Sequence, residues 1–64
     1  MTQKELLYLE DAIGHEQSII SILEDSIEKI EDENLEEFIK NEIDKHNNLK
    51  QNLLNLLEEK AHEW

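Results

Sequence analysis

Apolar residues recur along this chain in alternating steps of three and four. The first series is Leu6, Leu9, Ile13, Glu16, Ile20, Leu23, Ile27 and Ile30. The second is Leu35, Ile39, Glu42, His46, Leu49, Leu53 and Leu56. This period marks the apolar stripe of an amphipathic helix, and no two-residue alternation competes with it. Two long helices are therefore predicted. Thr2-Gln3-Lys4-Glu5 reads as a capping box, in which the Thr2 hydroxyl and the Glu5 carboxylate each accept from the other residue's backbone N–H. Asp32 is the predicted N-cap of the second helix, with Glu33, Glu36 and Glu37 suited to its positive dipole end. The helices are expected over about residues 3–30 and 33–61, joined by a turn at about 31–32. At ~1.5 Å per residue each would be roughly 40 Å long. So short a connection makes them antiparallel neighbours. The predicted fold is an all-α antiparallel two-helix hairpin forming one domain.

The stripe is wider than the seam of a two-stranded coiled coil. Ala12 and Ile19 widen it on the first helix; Phe38, Ile43 and Leu57 widen it on the second. Such width suits a four-helix bundle, which two hairpins would supply as a homodimer. Leu7, Tyr8, Ile22 and Leu54 fall off this face, as scattered surface residues or a second contact surface. Size points the same way. A 64-residue chain falls below the ~70–80 residues at which a single core suffices without disulfides, a metal or oligomerisation. It has no cysteine, so disulfides and thiolate metal sites are excluded.

Three stripe positions are not aliphatic: Glu16, Glu42 and His46. An ionisable group on a buried seam is costly unless paired, hydrogen-bonded or metal-bound. With the turn near residue 31, residues whose numbers sum to about 62 lie at one height, so Glu16 should face His46. Glu42 stands one helical turn from His46. The three are expected in one layer, doubled by dimer symmetry to four carboxylates and two imidazoles. Carboxylate plus imidazole suits Fe, Mn or Zn, so Glu16, Glu42 and His46 are candidate metal ligands, with His15 beside Glu16 as a supporting residue. Di-iron bundles pair a Glu from each of two helices with Glu-x-x-His from the other two. Here the spacing from Glu42 to His46 is four, and Ile43 occupies the carboxylate position of that motif. The competing reading is structural: the layer hydrogen-bonds across the bundle and fixes register.

Other residues carry weaker signals. Gly14 in mid-helix costs about 1 kcal/mol against Ala and would permit a close helix approach. Tyr8 reads as a packing residue or a hydroxyl donor, Trp64 as a loose terminal residue or a dimer-edge contact, and His62 as part of a frayed end. Ser18, Ser21 and Ser26 lack a nucleophile's surroundings, and no glycine-rich phosphate loop is present, so no enzymatic activity is expected. The formal charge of −11, with six lysines and no arginine, opposes binding to nucleic acid or anionic membranes. No run approaches the ~18 apolar residues of a membrane helix, and no secretory leader pattern opens the chain. A soluble protein is expected.

The run Glu5-Leu6-Leu7-Tyr8-Leu9-Glu10-Asp11-Ala12-Ile13-Gly14-His15-Glu16 resembles the opening helix of Coat F-type spore coat proteins, small ferritin-like proteins of spore-forming Firmicutes. The similarity continues through Asp32-Glu33-Asn34-Leu35, the pair Lys45-His46 and the leucine-rich stretch 53–57. It implies a ferritin-like hairpin, a cytoplasmic or spore-coat setting, other coat proteins as partners and a non-enzymatic role. It also sets Glu16 and His46 at metal-ligand positions of ferritin-like proteins. A second similarity, to the RNA-binding hairpin that controls plasmid copy number, is architectural; its RNA face requires basic residues, which here are outnumbered by acids.

Overall fold

The helix starts are set by the residues the sequence marks. In the computed structural model, which describes residues 1–61, Thr2 caps α1 (Gln3–Ile27) and Asp32 caps α2 (Glu33–Lys60). The capping box at Thr2 is complete. The Glu5 N–H donates to Thr2 Oγ1 at 3.0 Å, and the Thr2 N–H donates to Glu5 Oε1 at 2.8 Å. These bonds hold the Glu5 carboxyl below the usual carboxylate range; the backbone N–H of Thr2 is the main cause and the Thr2 side chain the next. At α2, the Leu35 N–H donates to Asp32 Oδ1 at 2.9 Å. Each cap satisfies backbone donors that have no partner within the helix.

The first helix stops at Ile27, short of the predicted residue 30, and residues 28–32 form the connection. Local hydrogen bonding explains the early stop. The Ser26 hydroxyl donates to the Ile22 carbonyl at 2.8 Å, a back-bond that competes with regular helix. The Lys29 N–H donates to the Ser26 carbonyl at 3.0 Å, three residues back, so the last turn tightens. No basic residue stands in the last turn of α1. Glu24 and Asp25 stand there instead, and carboxylates at a helix C-terminus oppose its dipole.

The two helices pack against each other as an antiparallel pair, in a molecule 49 Å long and 15 by 11 Å across. Side-chain bonds from Glu16 to His46 and from Gln17 to Lys50 tie them together. The core is thin. Ile20, 3 % exposed, is the one fully buried residue among those described. Ile13, Leu23, Ile27, Ile39, Ile43, Leu53 and Leu57 are half-buried.

Part of the predicted seam stays in solvent. Leu35, Leu49 and Leu56 are 47 %, 44 % and 42 % exposed. They recur at seven-residue intervals with Glu42 in the same row. Phe38 is exposed as well. On α1, Leu9, Ala12, Glu16, Ile19 and Leu23 are half-buried. At the open end, Tyr8, Leu9, Ala12 and Leu56 line one groove of about 560 Å³. The positions that close the hairpin are thus a subset of the apolar stripe. The remainder forms a long apolar face that the chain's own helices leave uncovered. Leu7, Ile22 and Leu54 are exposed too, as their place off the stripe predicts; Tyr8, predicted off the stripe as well, is exposed but lines the groove at the open end. Among the described residues no helix is long and apolar enough to cross a membrane.

Candidate functional site

Glu16 and His46 stand near the midpoints of their helices. The hairpin register, set by the caps and the five-residue connection, brings them face to face. His46 Nδ1 lies 2.5 Å from Glu16 Oε2. Toward an ionised carboxylate, which only accepts, Nδ1 would be the donor. His46 Nε2 is left pointing toward Glu42, whose Oε2 is 3.8 Å away, beyond hydrogen-bond length. Glu42 also lies 3.8 Å from Lys45 Nζ. Burial falls across the layer: the side chains of Glu16, His46 and Glu42 are 13 %, 23 % and 28 % exposed. No buried side-chain nitrogen or oxygen among the described residues lacks a partner.

The layer is therefore assembled as the spacing predicts, and its geometry defines what it can do. Its two carboxylates sit on opposite nitrogens of one imidazole. A divalent ion needs about 2.0–2.2 Å to each nitrogen or oxygen ligand, so the closed contact between Glu16 and His46 has no room for one. The wider gap between His46 Nε2 and Glu42 offers two ligands from one helix. Among the described residues, no group of three or more His, Cys, Asp or Glu side chains is arranged to hold a metal ion.

The surrounding residues take different places. His15 is exposed, away from the layer's interior. Gln17, one residue beyond Glu16, accepts from Lys50 Nζ and also donates to Ser21 Oγ at 3.2 Å. The periodicity does not mark this second inter-helix bond, since Gln17 and Lys50 are ordinary surface residue types. The residue sum that aligns Glu16 with His46 also places Lys50 only about one turn from Gln17. Gly14 makes no close approach: a Cβ built on it meets nothing within 4 Å. Lys40, outside the layer, pairs with Glu36 at 2.9 Å, and this bond raises its ammonium above the ordinary lysine value. The predictions about His62 and Trp64 fall outside the described residues.

The fold and the layer define a class: a capped antiparallel helical hairpin with one polar layer at mid-length and an uncovered apolar face. No protein-family model matches the chain, and no curated protein or solved structure matches it.

Proposed function

We propose that this chain is a small, non-enzymatic structural and interaction protein, a ferritin-like helical hairpin that works as a homodimeric four-helix bundle in a cytoplasmic or spore-coat setting. The observation that carries the reading is the exposure of Leu35, Leu49 and Leu56, three members of the seven-residue row 35–42–49–56, beside a core with one buried residue among those described. A core that thin leaves little margin over the ordering entropy of ~60 residues. A second apolar surface against that row adds the missing burial. The Glu16–His46 bond then acts as a register pin, holding the two helices at one axial setting while the face stays available. The spore-coat setting rests on the resemblance of residues 5–16 and 32–35. Light scattering at micromolar concentration tests the assembly: a mass twice the 7.6 kDa of one chain is expected, and a mass of one chain rejects it. Immunodetection of the protein in coat extracts, against the soluble cell fraction, tests the setting and any association with other coat proteins.

One observation favours a second reading. The 3.8 Å gap between His46 Nε2 and Glu42 involves a residue in the same heptad row as the exposed Leu35, Leu49 and Leu56, where a second copy would bring its own Glu42 and His46. Fe, Mn or Zn is the expected ion for such a set. Metal analysis of protein purified without chelator, with a thermal shift on adding each ion, tests it. Metal at background level and no shift would remove it.

A further inference from the structure

We infer that the second copy docks on the uncovered face in antiparallel fashion, its turn end against the open end of the first. The two-fold axis then passes through the paired Glu16–His46–Glu42 layers. This inference rests on the dimer reading above and fixes its geometry.

The surface area argues for a second copy as the occupant. A folded monomer of 7.6 kDa exposes about 4,300 Å² by the usual scaling of area with mass. This chain exposes 5042 Å², an excess of ~750 Å². One partner in a standard interface contributes ~800 Å². An elongated chain of 49 by 15 by 11 Å carries such an excess along its sides, and side-by-side docking of a second copy removes at least that order of area.

The layout of the face is self-complementary. The polar layer lies at mid-length, with apolar residues on both sides. Leu35 precedes His46 by eleven residues and Leu56 follows it by ten. A perpendicular two-fold through the layer therefore brings Leu35 of each copy to the level of Leu56 in the other, about 15 Å from the axis. At the open end, Tyr8, Leu9, Ala12 and Leu56 form the apolar part of the groove, and Met1, Glu5 and Lys60 complete its lining. At the turn end, Leu35 and Phe38 project. The antiparallel arrangement seats projection in groove twice, once at each end. A parallel arrangement sets groove against groove and projection against projection.

Charge decides in the same direction. The turn half, residues 22–41, carries eight carboxylates and two lysines. The open half, residues 1–14 and 48–61, carries five carboxylates and three lysines. Parallel docking lays two strongly acidic turn halves side by side, within the ~10 Å over which charges act at 0.1 M salt. Antiparallel docking separates them by about 30 Å and places each against the less acidic half of its partner.

Spin labels at the turn test the geometry. The chain has no cysteine, so Glu31→Cys introduces a single labelling site on an exposed connection residue outside the face and the layer. Pulsed dipolar spectroscopy of the labelled protein reads the distance between the two turns, and light scattering of the same sample reads the mass. Antiparallel docking predicts a dimeric mass and a separation of about 45 Å, near the 49 Å length of the molecule. A dimeric mass with a separation of about 20 Å, the value for side-by-side turns at ordinary helix spacing, overturns the antiparallel geometry and leaves the dimer standing. A monomeric mass overturns both.

Discussion

The Glu16–His46 bond makes a quantitative test of what the polar layer contributes. Consider Glu16→Ala and His46→Ala, singly and together. Each single change leaves a partner that is mostly enclosed but in reach of water, with side chains 13 % and 23 % exposed. Fully exposed ion pairs couple by ~0.2–1 kcal/mol, while hydrogen bonds to charged groups contribute about 1.5–3 kcal/mol. Partial enclosure places this pair between them, at a coupling of about 1.5 kcal/mol. The assay is urea unfolding followed by the helix signal in circular dichroism, at one fixed protomer concentration because association shifts apparent stability. Coupling below ~0.3 kcal/mol, within ordinary additivity of distant sites, would refute the pin. A fourth variant separates stability from register. Glu16→Leu with His46→Leu replaces both partners by apolar groups, and each leucine gains about two-thirds of the ~1.5–3 kcal/mol of full burial. The double variant should be about 1–2 kcal/mol more stable than the parent, since replacing both partners of an enclosed polar pair by apolar groups can be stabilising. A double variant less stable than the parent contradicts a layer retained for register at a cost in stability.

Other expectations follow from separate parts of the molecule. Gly14→Ala should stabilise by about 1 kcal/mol in the same urea assay, because its site is helical and open; destabilisation would show that Gly14 is needed for a close approach by another molecule. Leu49→Lys should lower the dimer affinity at least tenfold in sedimentation equilibrium, while Leu7→Lys, exposed on the opposite side of α1, should leave it within twofold; equal losses would refute the assignment of the face. The Glu5 carboxyl is held low by Thr2, so its contribution is complete above the ordinary value of 4.5 and is lost as pH falls through the lower folded value. Amide exchange at residues 2–6 should therefore accelerate on acidification below that value, and Glu5→Gln should abolish this pH dependence. With net charge −11, dimer affinity should rise from 20 mM to 200 mM salt; an affinity that falls would mean attraction between the copies.

Much of this fold is legible in the residues because local signals agree. The caps at Thr2 and Asp32 fix where both helices begin, and the three-four period fixes their inward faces. The facing of Glu16 and His46 follows from the position of the turn alone. The end of α1 is less legible: Ile30 keeps the period, but the Ser26 back-bond and the tightened turn at Lys29 stop the helix at Ile27. A heptad also cannot say which of its positions closes the hairpin and which meets another molecule. Leu49 and Leu53 look equivalent in the sequence, yet Leu49 is exposed and Leu53 is half-buried. Likewise, three ligand-type residues in one layer do not specify a metal cage. The order of donors around His46, with one carboxylate at each nitrogen, appears only in three dimensions.

The concentration dependence of thermal unfolding tests the central claim most directly, since it asks whether the fold and the association are one event. If the uncovered face completes the core of a dimer, the midpoint should rise by about 5 °C for each tenfold increase in protein concentration. A midpoint that stays constant from 1 to 100 μM would show a hairpin that is stable alone and would contradict the account.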